Sequence, residues 1–284
     1  MANLVLCDLD GTLLRPGHPI SESTKETMAA LRRHGDIVAV ASGRSLYAGR
    51  EIVTPDLPID FWIFSTGAGI VSWPSRDIIR RNELQAVDTE RIAQLLLDLG
   101  EDFMIQAPVP ENHRFTYHRT GRPDNASTDF DRRCASFNGF CRPMQDGEPY
   151  GPASQFIAVL PPDENRIATI TSSLSEYSVI RATSPMDNHS VWLEIFNPHA
   201  GKGNSAKWLA EEYLPSRWFA ISEVFAIGND YNDIDMLEYA DHAFLTPNAP
   251  APLKEKYPAT ENDTEGALAE AVARWGILSN HSME

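Results

Sequence analysis

Leu4-Val5-Leu6-Cys7-Asp8-Leu9-Asp10-Gly11-Thr12-Leu13-Leu14 runs from an unbroken apolar segment straight into acid, glycine and hydroxyl. An apolar run without alternation is the pattern of a strand buried on both faces, as in a parallel sheet covered by helices. Asp-Gly is a turn signal. The expectation is therefore a buried strand over 4–9 that ends in a polar turn.

The flanking sequence repeats the theme. Ser21 to Arg33 carries polar starters (Ser21, and Ser23 with Glu26), apolar Met28 and Leu31, and Gly35 as a stop, which predicts a helix. Ile37 to Ala41 reads as a second strand, followed by a helix that must end before Pro55, and Phe61 to Phe64 reads as a third strand. From Asp88 the order changes to helix 88–100, strands 103–107 and 113–118, helix 126–137, a Gly/Pro-rich loop 143–152, strand 155–160, helix 163–174 and strands 178–182 and 190–196. Adjacent strands imply an antiparallel or mixed sheet with helices on one face. Helix 204–213, strand 224–227, helix 233–240 and strand 243–245 then restore the first pattern. The fold class expected is α/β, a doubly wound parallel-sheet (Rossmann-like) core of residues 1–83 and 198–284 with an inserted α+β domain, 84–197.

Composition narrows the function. The 284 residues are 42% hydrophobic and 23% charged, ordinary for a globular protein with a sizeable core. A formal net charge of −16 repels nucleic acid and acidic membrane surfaces, and it demands a locally positive site for any phosphorylated ligand. Three cysteines in no metal-binding spacing favour a reducing compartment, with a Cys134–Cys141 disulfide as the alternative. The N-terminus lacks a basic segment followed by a long apolar one, and no apolar stretch approaches the ~20 residues that span a bilayer. A soluble, cytoplasmic protein is expected. Sequence does not encode its oligomeric state.

Four polar clusters each sit at a strand end or helix start: Asp8-Leu9-Asp10-Gly11-Thr12, Ser42-Gly43-Arg44, Gly201-Lys202-Gly203 and Gly228-Asn229-Asp230-Tyr231-Asn232-Asp233. In an open parallel sheet the carboxyl ends of the strands line one crevice where ligands bind. Asp8, Asp10 and an oxygen of the fourth cluster offer hard ligands for Mg²⁺. Ser42, neighbouring amides and Lys202 offer donors for phosphate oxygens. Taken singly, each cluster has an ordinary structural reading: a solvated turn, a helix N-cap at Ser42, a surface lysine, first-turn acids at Asp230, Asp233 and Asp235.

Taken together and in order, the clusters resemble the motifs of the haloacid dehalogenase superfamily of phosphatases, in its Cof-type branch with a large α+β (type IIB) cap. Ala200-Gly201-Lys202-Gly203 is also similar to sucrose-phosphate phosphatases. The resemblance implies a Mg²⁺-dependent phosphatase of a small phosphorylated metabolite, a sugar phosphate in class. Asp8 would be the nucleophile and Asp10 the general acid and base, while Ser42 and Lys202 would hold the phosphoryl group. Asp8, Asp10, Asn229 and Asp233 would form the metal set, and Gly11, Thr12, Gly43, Arg44, Thr66 and Gly67 would contact substrate. Two positions depart from the branch: Asn229 stands where it usually has Asp, and Ser65-Thr66-Gly67-Ala68 where it usually has Asn-Gly-Ala. In the inserted segment, Arg114, His118 and Arg119 belong to a local excess of positive charge that reads either as substrate recognition or as a solvated face. Tyr117 among them reads as a sugar-stacking ring or as packing. A phosphosugar mutase of the same core and cap, or a binding module without turnover, are the other functions consistent with the sequence.

Overall fold

The computed structural model describes residues 1–145, 147–184, 186–187 and 189–278. The chain divides into two compact units, one of Met1–Arg44, Gly49–Arg80 and Gly201–Glu284, the other of Ser45–Ala48 and Arg81–Ala200. In chain order the elements are β1 (Ala2–Asp8), α1 (Glu22–His34), β2 (Ile37–Ala41), α2 (Leu46–Gly49), β3 (Phe61–Phe64), β4 (Gly69–Ser72) and β5 (Ile78–Arg81). Then come α3 (Ala86–Asp98), β6 (Phe103–Gln106), β7 (Phe115–His118), α4 (Phe130–Ser136), β8 (Cys141–Pro143), β9 (Gln155–Leu160), α5 (Glu164–Ser173), β10 (Ser178–Thr183) and β11 (Val191–Phe196). The remainder is α6 (Lys202–Trp208), α7 (Leu214–Ser216), β12 (Ile221–Gly228), α8 (Ile234–Tyr239), β13 (His242–Leu245), α9 (Ala251–Lys254) and α10 (Ala267–Trp275).

The first unit is built on a seven-stranded sheet of order β13-β12-β1-β2-β3-β4-β5. From β13 to β3 neighbouring strands are parallel, and β4 runs back antiparallel to β3. β1 lies in the middle with its partners on both sides, Leu6 opposite Ala39 of β2 and Ala226 of β12. Every residue from Leu4 to Cys7 is fully buried, as the unbroken apolar run requires. α1 begins where expected: the Ser21 hydroxyl accepts from the Thr24 amide, and Gly35 closes the helix with a φ of 101°.

The second unit holds a mixed six-stranded sheet, β10-β11-β9-β6-β7-β8, antiparallel throughout except for the parallel pair β7–β8. Alternate residues point to opposite faces of a strand. Phe103, Phe156, Ala158 and Leu193 pack on Ile92 and Leu96 of α3 and Ile167 and Ile170 of α5. Met104, Ile157 and Trp192 pack on Phe130 of α4. Helices thus cover both faces rather than the one expected, because β6, β9 and β11 are apolar on both sides.

Other differences are local. A 3₁₀ segment, Pro123–Ser127, precedes α4 and delays its start to Phe130. The helix expected over 204–213 is interrupted by a π-turn at Leu209–Tyr213. The hairpin strands β4 and β5 and the helix α10 were not anticipated. Cys7, Cys134 and Cys141 are free thiols, and no helix among the described residues is long and apolar enough to cross a membrane.

Candidate active site

The polar clusters of the first unit meet around the end of β1. Asp8 is its last residue and is 4% exposed. Lys202, the first residue of α6, is completely buried, and its ammonium donates to Asp8 Oδ1 at 2.6 Å and to Asp233 Oδ1 at 2.5 Å. A buried lysine between two carboxylates is held by opposite charge on either side. Burial lowers the affinity of Lys202 for its proton, but Asp233 and Asp8 reverse this, and the net shift is upward. Burial, and then the charge of Asp233, raises the Asp8 carboxyl above the usual range, while Lys202 pulls it back.

Asp233 was expected as a metal ligand, and both of its oxygens are taken. Oδ1 accepts from Lys202, and Oδ2 accepts from the amides of Asn229 at 2.8 Å and Asp230 at 3.1 Å. Its carboxylate therefore fixes the turn after β12 and anchors the lysine. Asp230 instead caps that turn, accepting from the Tyr231 amide. Asp235 was read as a first-turn acid of its own helix. It reaches across to α6, where Oδ2 accepts from the Gly203 amide at 2.8 Å, and so caps the helix that carries Lys202.

Asp10 and Arg44 form a two-pronged pair, Nε to Oδ2 at 2.8 Å and Nη2 to Oδ1 at 2.6 Å. Ser42 is fully buried beyond the end of β2, and its hydroxyl accepts from the Arg44 amide at 3.1 Å. Gly43 lies between them in the chain. The Thr66 amide donates to the Ser42 carbonyl at 3.0 Å. Ser65, Thr66 and Gly67 all have positive φ, of 47°, 52° and 88°. A Cβ at Gly67 would lie 2.4 Å from the Gly201 carbonyl, so only glycine lets this loop approach the start of α6.

Asn229 closes the arrangement opposite Gly11 and Thr12. The Thr12 hydroxyl donates to Asn229 Oδ1 at 3.2 Å, and the same end of the amide lies 3.1 Å from Asp8 Oδ2 and 3.0 Å from the Asp10 carbonyl oxygen. A Cβ at Gly11 would stand 2.5 Å from Asn229 Nδ2, which makes glycine necessary there. Asn248 was missed by the sequence reading. It follows the end of β13 in Thr246-Pro247-Asn248, and the rule that ligands gather at strand ends applies to it as much as to the other clusters.

Mg²⁺ is the group this donor set suits. The Asp8 carboxylate, the Asp10 carbonyl and the Asn229 amide oxygen are hard oxygens that lie close together. Among the described residues no cluster of three or more His, Cys, Asp or Glu side chains could hold a metal. The Asp10 and Asp233 side chains are engaged elsewhere, so such a set would draw on a carbonyl and an amide.

The second unit's expected site residues keep company with their own unit. Arg114 pairs with Glu111 and lies over the Phe140 ring, and Arg119 pairs with Asp102 and Asp131 and lies over Phe130. His118 stacks on Phe103, and Tyr117 packs edge-on against Phe130.

Comparison with known proteins gives a consistent result. Residues 5–272 match the family model of haloacid dehalogenase-like hydrolases. YkrA of Bacillus subtilis (strain 168) is 27% identical over 286 residues, spanning 98% of this chain and 99% of that one. The 5-amino-6-(5-phospho-D-ribitylamino)uracil phosphatase YwtE of the same organism is 23% identical, covering 92% of this chain and 94% of its own. Among solved structures, the HAD subclass IIB sugar phosphatase BT4131 superposes with a TM-score of 0.71 at 17% identity, over 97% of this chain and 100% of that one.

Proposed function

Since this chain belongs to the haloacid dehalogenase-like hydrolases and is a phosphatase of that family, we propose that it hydrolyses a sugar phosphate or a close relative through an aspartyl phosphate on Asp8. The observation that carries this reading is the Lys202 ammonium, buried and in contact with a carboxylate at the end of the central strand. In so acidic a chain it supplies the local positive charge that a phosphoryl group needs. The relatives' names bear on size: YwtE acts on a ribitylaminouracil phosphate and BT4131 is a sugar phosphatase, so a small phosphate ester is the shared chemistry.

Asp8 attacks phosphorus and the ester oxygen leaves, so one slow displacement becomes two faster ones. Asp10 gives the leaving oxygen a proton, then takes one from the water that attacks the aspartyl phosphate and releases inorganic phosphate. Arg44 holds both oxygens of Asp10, so Asp10 can act as an acid only after this pair opens. The arriving phosphate anion is the competitor that draws Arg44 away. Lys202 and the Ser42 hydroxyl hold the equatorial oxygens, and Gly11, Thr12, Gly43, Thr66 and Gly67 shape the backbone around them. Asp233 holds the Lys202 ammonium, and Asp235 holds the backbone amide of the next residue, Gly203. Mg²⁺, held by Asp8, the Asp10 carbonyl and Asn229, would neutralise the charge shared by carboxylate and phosphate. Free thiols and the absence of a membrane-crossing helix among the described residues support a cytoplasmic location.

Incubation with a panel of phosphate monoesters and Mg²⁺, followed by acid quench, tests this. Inorganic phosphate should appear, with label on the peptide containing Asp8. Conversion of a hexose phosphate to its isomer without phosphate release would make the chain a mutase, and label confined to another peptide would displace Asp8.

A further inference from the structure

Two of the three cysteines meet in the second unit. Cys134 lies in α4, and Cys141 opens β8. Between them the chain reverses: the Asn138 amide donates to the Ala135 carbonyl, the Phe140 amide donates to the Phe137 carbonyl, and Gly139 takes a φ of 89°. The reversal sets the start of β8 beside the end of α4. The Cys141 thiol donates to the Cys134 carbonyl at 3.4 Å, and the two side chains hydrogen-bond to each other. Both pack on the cluster of Met104, Phe115 and Phe130, and both remain partly exposed.

Contact between two thiols has a chemical consequence. A disulfide needs side chains that point toward each other, and two thiols already in contact meet that condition. Thiols so close do not ionise together. Burial, and then the neighbouring Cys141, pushes the Cys134 thiol up to about 12. The thiolate is the nucleophile, so Cys134 is a slow first attacker. Cys141 is placed differently. It borders a cavity of about 300 Å³ whose walls include Arg114, Arg142 and Phe140, and Cys134 is not among the lining residues. Both arginines are half exposed and pair with Glu111 and Glu148 on the surface, where such pairs open readily. Guanidinium groups favour a thiolate and draw anions. Cys7 is the contrast: it is fully buried in β1, and burial holds its thiol far above the ordinary range.

We propose that Cys134 and Cys141 form a redox modification site, which a small anionic disulfide oxidises to an intramolecular disulfide. The Cys141 thiolate attacks one sulfur of the small disulfide, whose S–S bond breaks. The departing thiolate takes up the proton that Cys141 released, and a mixed disulfide remains on Cys141. Cys134 then gives up its proton and attacks the Cys141 sulfur, expelling the second small thiol. Two electrons pass from the cysteines to the small disulfide, and an excess of small thiol reverses both steps. No step uses Asp8 or a phosphoryl group.

The reduced full chain, incubated with glutathione disulfide and then alkylated under denaturing conditions, tests this by peptide mapping. In the parent, Cys134 and Cys141 should escape alkylation together, without bound glutathione, while Cys7 is alkylated in full. Dithiothreitol should restore alkylation of both. Cys134→Ser should instead accumulate glutathione on Cys141, because no second thiol can expel it. Cys141→Ser should take up glutathione at Cys134 about tenfold more slowly or less, as a raised thiol pKa requires. Two free thiols in the parent, or a lasting glutathione adduct on it, overturn the proposal. A covalent dimer, or a bond from either residue to Cys7, overturns the pairing. Equal uptake by the two serine variants overturns the order of attack.

Discussion

Two regions of this molecule concentrate opposite charges, and they treat them differently. Around the end of β1, Lys202 and Asp233 are wholly buried, and the Lys202 ammonium is paired with carboxylates from two other clusters of the sequence. Around β7, Arg114 stays half exposed, paired with Glu111 three residues away. The first arrangement brings together residues up to 194 positions apart, so it exists only in the folded chain. The second is local and open to water, where an ion pair contributes little. Abundance of charge is therefore a poor guide to a site. Burial with long-range partners is the better one.

The sharpest way to break this comparison is Asp8→Asn. An amide of the same shape is a poor nucleophile, and loss of a catalytic nucleophile costs on the order of 10⁴–10⁶ in kcat. Circular dichroism should show an unchanged fold, and quenched turnover should yield no phosphopeptide. Substantial residual activity would mean that the buried carboxylate serves structure alone.

Lys202→Met tests whether the buried pair is energetically distinct. It leaves Asp8 and Asp233 facing each other without a cation, and stranding buried charge in this way costs about 3–5 kcal/mol. Urea unfolding measures it. A loss under 1 kcal/mol, the range of a surface pair, would erase the distinction between the two regions.

Asp10→Asn should lower kcat roughly 10²–10⁴-fold for a sugar phosphate and far less for an activated aryl phosphate, whose leaving oxygen needs no proton. Equal losses on both would count against general acid catalysis by Asp10.

Asp235→Ala sharpens the picture from the periphery. Removing the cap on the Gly203 amide should cost about 1 kcal/mol of stability. Because that helix carries Lys202, kcat should also fall, although Asp235 touches neither Asp8 nor the lysine. A stability loss with unchanged kcat would limit Asp235 to the fold.

The smallest effect is expected in the second unit. Arg114→Met should change stability by no more than about 0.5 kcal/mol. It should also lower kcat/KM less than about twofold on sugar and aryl phosphates alike. A selective loss on the sugar phosphate would show that Arg114 reads substrate and that its pairing with Glu111 is incidental.

What the sequence determined by itself follows from period and order. The apolar runs at 4–7, 37–41, 61–64 and 224–227 could only be buried strands, and the polar clusters behind them had to gather along one sheet edge. The gathering of Asp8, Asp10, Ser42 and Lys202 at one end of the sheet was legible because that rule needs only chain order. Tertiary structure decided the rest, because it concerns which atom faces which. That Asp233 anchors Lys202 while Asp235 caps the neighbouring helix, and that Asn229 accepts from the Thr12 hydroxyl, are matters of hydrogen-bond direction. Carboxylates and amides carry no mark in sequence of the donor they will meet. Only the packed backbone, with glycine at 11 and 67 permitting its closest approaches, fixes that choice.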